Sequence, residues 1–287
     1  MKLFILVLSC LVTLPIIAQD VDFHVGLRIG FNYSHLDGPV EENAKLSTSP
    51  GFHVGPTFTF RFSDLMGIRG ELLFSQKGAK FEYNGPSYFT IRKNNEYIPT
   101  SGTRNMLLTI NNNYIDLPLS FYTLLFERLD VSFGGYGSVL VGSNGKGDMT
   151  YSGKRDNSNA SVGPIKFLLE QNYLRDKAGT TPALSTIDVR LEGDVIKLPE
   201  QLGGYYEYRT KPDGHKYNTL DYGLAAGLHY RFSGGLYIGA RYQFGLADVT
   251  NKDFDISYKT LTSSKDFVLI PAVHKNRTLQ ISLMLQL

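Results

Sequence analysis

The residues able to do chemistry in this chain are charged groups placed at every second position of runs that are otherwise apolar or small. Arg28 sits between Leu27 and Ile29, Arg61 between Phe60 and Phe62, and Arg69 and Glu71 flank Gly70 between Ile68 and Leu72. Asp116 lies between Ile115 and Leu117, Asp221 precedes Tyr222, Arg231 stands between Tyr230 and Phe232, and Arg241 between Ala240 and Tyr242. Ions gathered on one side of such runs suit an enclosed interior, where each charge must be paired. The lesser alternative is the lining of a small gated pore or a solute-binding plug. Metal chemistry is not indicated. His24, His53 and His229 share the polar side at different heights, and no His-Glu-x-x-His spacing occurs. His35, His215 and His274 fall in expected loops. No serine–histidine spacing suggests a nucleophile, and Gly142, Gly145 and Gly147 resemble a turn rather than a phosphate cradle. The expectation is a non-enzymatic protein without a cofactor.

The elements that must carry these charges alternate with period two, which strands produce and helices do not. Phe23, Val25, Leu27, Ile29, Phe31 and Tyr33 oppose His24, Gly26, Arg28, Gly30, Asn32 and Ser34. The same pattern fills residues 51–62, 221–232, 236–248 and 279–287. Residues 67–82, 105–122 and 129–142 follow it less cleanly, with Leu73 breaking the first of these, and the total is eight strands. Their connections alternate in length. Short ones at 63–66, 123–128 and 233–235 separate long ones at 35–50, 83–104, 143–220 and 249–275. Tight turns at one end and larger loops at the other are the arrangement of an outer-membrane barrel. Runs of this length also suffice for a tilted crossing, which needs roughly 9–11 residues. The apolar side is nearly free of charge, so it faces lipid, and the glycine-rich ionic side fills a narrow lumen. Aromatics near strand ends (Phe23, Tyr33, Phe62, Tyr122, Tyr222 and Phe232) fit interfacial girdles. The expected fold is all-β: an eight-stranded antiparallel up-and-down transmembrane β-barrel, with ten strands possible.

Composition removes other classes. A net charge of +2 over 287 residues gives no field that would draw nucleic acid, and one cysteine excludes a disulfide framework. The N-terminus, MKLFILVLSCLVTLPIIAQD, has a basic start, an apolar stretch and Ile16-Ile17-Ala18 before Gln19. Residues 1–18 are expected to be a cleaved secretory signal peptide that removes Cys10, leaving 19–287 as the barrel domain. Outer-membrane lipid is then the first partner.

Four strings, ELLFSQKG (71–78), YIDLPLSFY (114–122), DYGLAAGLHYRF (221–232) and GARYQFGLADV (239–249), resemble the PorT-like outer-membrane β-barrels of Bacteroidetes. The resemblance covers most of residues 20–287 except 143–220. It implies a scaffold or binding component, accessory to protein export, in contact with other envelope or secretion proteins. The alternative is a narrow porin-like channel for ions or small solutes. Two departures are the length of 143–220 and the final Leu287, where many such barrels end in an aromatic.

Segment 143–220 is too long for a mere connection. Residues 164–175 are expected to form a short amphipathic helix. Ile187, Val189 and Leu191 form one short strand and GGYYEYRT (203–210) a second, giving an external hairpin or two extra barrel strands. Tyr205, Tyr206 and Tyr208 would supply an external partner surface, as aromatics do at interfaces.

Overall fold

The computed structural model describes residues 22–94, 96–174, 185–202, 215–232, 235–253 and 258–287. The expected signal peptide and Tyr205, Tyr206 and Tyr208 lie outside the described residues. The strands are β1 (Asp22–Asp37), β2 (Ala44–Arg61), β3 (Met66–Glu71), β4 (Leu73–Lys93), β5 (Glu96–Leu125), β6 (Leu129–Arg155), β7 (Ser161–Asn172) and β8 (Thr186–Leu191). There follow β9 (Asp194–Pro199), β10 (Gln201–Leu202), β11 (Leu220–Arg231), β12 (Leu236–Gly245), β13 (Tyr258–Leu261), β14 (Phe267–Leu269) and β15 (Lys275–Gln286).

Pairing runs β1–β2–β3/β4–β5–β6–β11–β12–β15 and returns to β1. Every pairing in this circuit is antiparallel. With β3 and β4 as two halves of one strand, interrupted at Leu72, the hydrogen-bonded ring has eight members. The expected count of eight matches this ring; β7 to β10 lie outside it.

Alternation sorts the side chains as the sequence suggests. Leu27, Ile29 and Phe31 on β1, Phe58 and Phe60 on β2, Leu117 and Leu119 on β5, and Ile281 and Leu283 on β15 face outward and are exposed. Arg28, Asn32, His53, Arg69, Glu71, Asp116 and Gln280 face inward and are buried. Leu73, which interrupts the sequence pattern, is an apolar side chain fully buried on the inward side.

Beyond this band β4, β5, β6 and β7 continue as one sheet. β5 alone has 30 residues, about three times what a tilted crossing needs. The β8–β9 hairpin buries Val189, Leu191, Ile196 and Leu198 in the same core as Ile91, Ile98, Tyr151, Ile165 and Phe167 of this sheet. The result is a two-sheet extension with its own apolar interior. Tyr173 crosses bare backbone there: a Cβ on Gly145 would come within 2.1 Å of its hydroxyl.

Several expectations are corrected. Residues 161–172 form β7, not a helix, because Val162, Ile165, Phe167 and Leu169 are buried while Leu168 faces out. A register shift between Tyr151 and Gly153, opposite Val162 and Ile165, spaces two buried residues by three and imitates a helical stripe. The strand at 187–191 pairs with β9; its expected partner, 203–210, lies outside the described residues. Segment 83–104 is mostly strand, and the first long connection shrinks to residues 38–43. The last contains the β13–β14 hairpin.

Candidate functional site

Three layers of charge stack inside the ring. In the first, Lys77 Nζ lies 3.1 Å from Asp116 Oδ2 and 3.7 Å from Asp221 Oδ2. It also stands over the Tyr136 and Tyr114 rings at 4.5 and 5.1 Å. Asp221 accepts from Asn276 at 2.9 Å and from the Tyr136 hydroxyl at 3.3 Å, while Gln243 donates to Asp116 at 3.4 Å.

In the second layer Glu71 takes Arg241 on one oxygen at 2.8 Å and Arg28 on the other at 3.4 Å. Arg241 Nε donates to Gln280 at 2.8 Å, Gln280 donates to Asn32 at 3.0 Å, and the His53 ring meets the same Asn32 oxygen at 2.8 Å. Gly30 makes room for that ring, since a Cβ there would lie 2.6 Å from His53 Cε1.

The third layer holds Arg69 and Asp130 at 2.6 Å, with His229 Nδ1 3.7 Å from the other Asp130 oxygen. Arg28 Nη2 reaches His229 Nε2 at 3.2 Å. A guanidinium can only donate, so Nε2 accepts and the ring proton sits on Nδ1, toward Asp130.

The charges balance. Arg28, Arg69, Lys77 and Arg241 face Glu71, Asp116, Asp130 and Asp221, four against four, all buried. Burying charge out of water is costly unless each charge has a partner, and here each has one. Both ends of the stack are covered. Leu36, Ala79, Ile110, Leu140, Tyr217 and Val249 pack into one apolar cluster beyond the Lys77 layer, continuous with the core of the extension. At the opposite end Arg69 lies over Tyr122 at 4.6 Å and Tyr237 at 5.9 Å, and buried Met284 meets Arg28 through its sulfur at 3.7 Å.

Of the charges picked out in the sequence, Arg28, Arg69, Glu71, Asp116, Asp221 and Arg241 come together here. Arg61 stays at the short-turn rim, 3.7 Å from Asp22, and Arg231 ends β11 half-buried. Asp130 is not among the site residues expected from the sequence, although it occupies the same inward phase as Ser132; its neighbours Leu129 and Val131 carry the visible pattern. Lys77 stands on the polar side in the sequence without an assigned partner. Among the described residues no group of three or more His, Cys, Asp or Glu is placed to hold a metal.

Residues 17–251 match the family described as outer membrane protein beta-barrel domain. No curated protein matches the sequence. Among solved structures the chain is similar to Ail, the attachment invasion locus protein of Yersinia pestis, at 12% identity over 93% of this chain and 99% of that one, with a TM-score of 0.34. It is similar to OprG of Pseudomonas aeruginosa at 11% identity over 93% and 97%, with a TM-score of 0.31. A third is an outer membrane channel of Pseudomonas putida F1, at 8% identity over 94% and 97%, with a TM-score of 0.26. The chain belongs to the outer membrane protein beta-barrel domain family, and its place is the outer membrane of the Gram-negative cell envelope.

Proposed function

We propose that the ring is a closed eight-stranded up-and-down barrel whose filled interior is an anchor, and that its task is non-enzymatic binding by the two-sheet extension outside the cell. The observation that carries this is the packing of the interior. Eight balanced charges lie between an apolar cluster at one end and Tyr122 and Tyr237 at the other, which leaves the mass of β4–β9 as the part free to meet a partner. The strings at 71–78 and 114–122 add the PorT-like resemblance, under which the partner is another envelope protein and the role is accessory to export. Replacing residues 150–215 by a short Gly/Asn turn tests it. Insertion should persist, as judged by heat-modified migration, while cross-linked recovery of a defined set of envelope proteins should be lost. Unchanged recovery would sink the proposal.

A second reading, the narrow channel for ions or small solutes, is favoured by a different observation. Arg28 Nε and Nη1, Arg241 Nη2, and one oxygen each of Asp116, Asp130 and Asp221 are buried without a hydrogen-bond partner among the described residues. Polar atoms so placed usually bond water, and hydrated groups along the axis would make a path. Planar-bilayer recordings decide between the two. Steps whose ion selectivity changes with Arg241→Ala would establish the channel, and silent bilayers would exclude it.

A further inference from the structure

Directly above the outward apolar band, on one side of the ring, the lipid-facing positions change to carboxamides. On β4 the outward Phe74 is followed by Gln76, on β5 Ile115 is followed by Asn113 and Asn111, and on β6 Val141 gives way to Gly142 and Asn144. Register sets them in two rows. Gln76, Asn113 and Gly142 lie opposite one another in the first, and Gly78, Asn111, Asn144 and Asn172 in the second. Directly opposed side chains on neighbouring strands stand about 5 Å apart at Cβ, so the amides form a continuous patch. Gly142 keeps it flat: a Cβ there would lie 3.1 Å from the Asn113 amide nitrogen.

These amides are not used up internally. Asn172 accepts from Leu174 N at 3.2 Å and the Asn113 amide oxygen is buried, whereas the side chains of Gln76, Asn111 and Asn144 are part-exposed and make no hydrogen bond among the described residues. The row beyond holds Lys80, Thr109, Lys146 and Glu170, in which Lys146 and Glu170 pair at 3.2 Å. The two amide rows carry no charge; apolar surface lies on one side of them and this charged row on the other, in which Lys80 makes no ion pair among the described residues. Polar groups bordering hydrocarbon are costly unless bonded. Carboxamides donate and accept side by side, which suits vicinal hydroxyls of a sugar. A phosphate would call for the guanidinium or ammonium groups that these two rows lack.

We propose that this patch binds the glycan headgroup of a lipid-linked saccharide in the outer leaflet. The source is the membrane because the patch continues the lipid-facing band without a gap, so the layer meeting it is the headgroup layer. The inference rests on the reading that the extension lies outside the cell.

The test uses the full chain in detergent micelles, titrated with purified lipopolysaccharide and separately with phosphatidylethanolamine, whose headgroup has no hydroxyl. Replacing Asn111 and Asn144 together by Ala should weaken lipopolysaccharide binding about tenfold, at one ordinary hydrogen bond per side chain, and leave phosphatidylethanolamine binding unchanged. Equal affinity of variant and parent, or an equal loss toward both lipids, overturns the proposal. The delipidated polysaccharide should compete poorly; full competition would overturn the membrane source. Heat-modified migration shows that each variant is folded, and the single Gln76→Ala change offers a milder second case, expected to lose about threefold. Protease access from the cell exterior to the 156–160 turn checks the orientation separately, so that failure of that reading is distinguishable from failure of glycan binding.

Discussion

Glu71 Oε2 and Arg241 Nη1 lie 2.8 Å apart across the interior of the ring, joining β3 to β12 over 170 residues of sequence. The other Glu71 oxygen holds Arg28, so one carboxylate answers two guanidinium groups from two other strands. Removing it leaves both cations buried without their counter-ion. Glu71→Ala should cost about 3–5 kcal/mol, the usual penalty for breaking a buried pair from one side. Replacing Glu71 and Arg241 together by Leu and Met removes one charge of each sign, keeps the interior balanced and should cost less. Urea unfolding in micelles, followed by tyrosine fluorescence, compares the two. Equal losses would mean that the charges contribute through shape rather than through pairing.

Two carboxylates beyond the apolar band respond to pH in opposite directions. Glu41 meets Arg104 at 3.1 Å, with the guanidinium 4.0 Å over the Tyr83 ring. Burial raises its pKa above the ordinary value despite the opposing pull of Arg104. A raised folded value means that its contribution is complete below about pH 4.3, the free glutamate value, and declines as pH rises through the folded one. Cleavage in the 38–43 connection should accordingly be slower at pH 4 than at pH 7. Glu41→Gln should abolish the difference, and a variant that kept it would exclude Glu41 as the cause.

Asp156 behaves inversely. Hydrogen bonds from Lys265 and from Ser101, the latter at 2.5 Å, hold its pKa below the ordinary aspartate value. Its contribution is present above about pH 3.9 and is lost only as pH falls through the depressed value. The β13–β14 hairpin, which Lys265 ties to the turn after β6, should stay docked at pH 4. Asp156→Asn should raise amide exchange over 258–269 at neutral pH, and unaltered exchange would show that other contacts hold the hairpin.

The ring is legible in the sequence because lipid outside and ions inside give opposite chemistry to successive residues. Alternation alone assigns Arg28, Glu71 and Arg241 to one enclosed side, but alternation carries no register. That Glu71 answers both arginines, or that Lys77 bridges Asp116 and Asp221, follows from pairings between strands far apart in sequence. The extension escapes the sequence for a different reason. Even-numbered residues of β5 point inward along its whole length, yet inward means Asp116 and Ser120 in one half and Ile98, Leu108 and Ile110 in the other. The backbone phase is constant and the surrounding solvent changes, so the apolar residues switch from the outer side to the inner. A pattern followed in one phase stops at the switch, and the strand beyond it reads as loop.

That inversion yields a prediction within a single strand. Leu119 and Thr103 both face outward on β5, sixteen positions apart, the first in the apolar band and the second on the extension. Arginine at the lipid-facing midplane of a barrel costs about 2–4 kcal/mol, whereas a solvent-facing site tolerates it within about 0.5 kcal/mol. Leu119→Arg should therefore lower the folded fraction recovered in phospholipid vesicles and shift the urea midpoint. Thr103→Arg should leave both unchanged. Ile98→Arg, on the inner side of the same half, should unfold the extension while sparing the ring, because the side chain would enter a closed apolar core. Protease resistance of the ring with cleavage confined to residues 85–104 and 150–200 would be the signature. Equal tolerance at 119 and 103 would mean that β5 meets the same solvent along its whole length, and the division into a lipid-facing ring and an aqueous extension would fail.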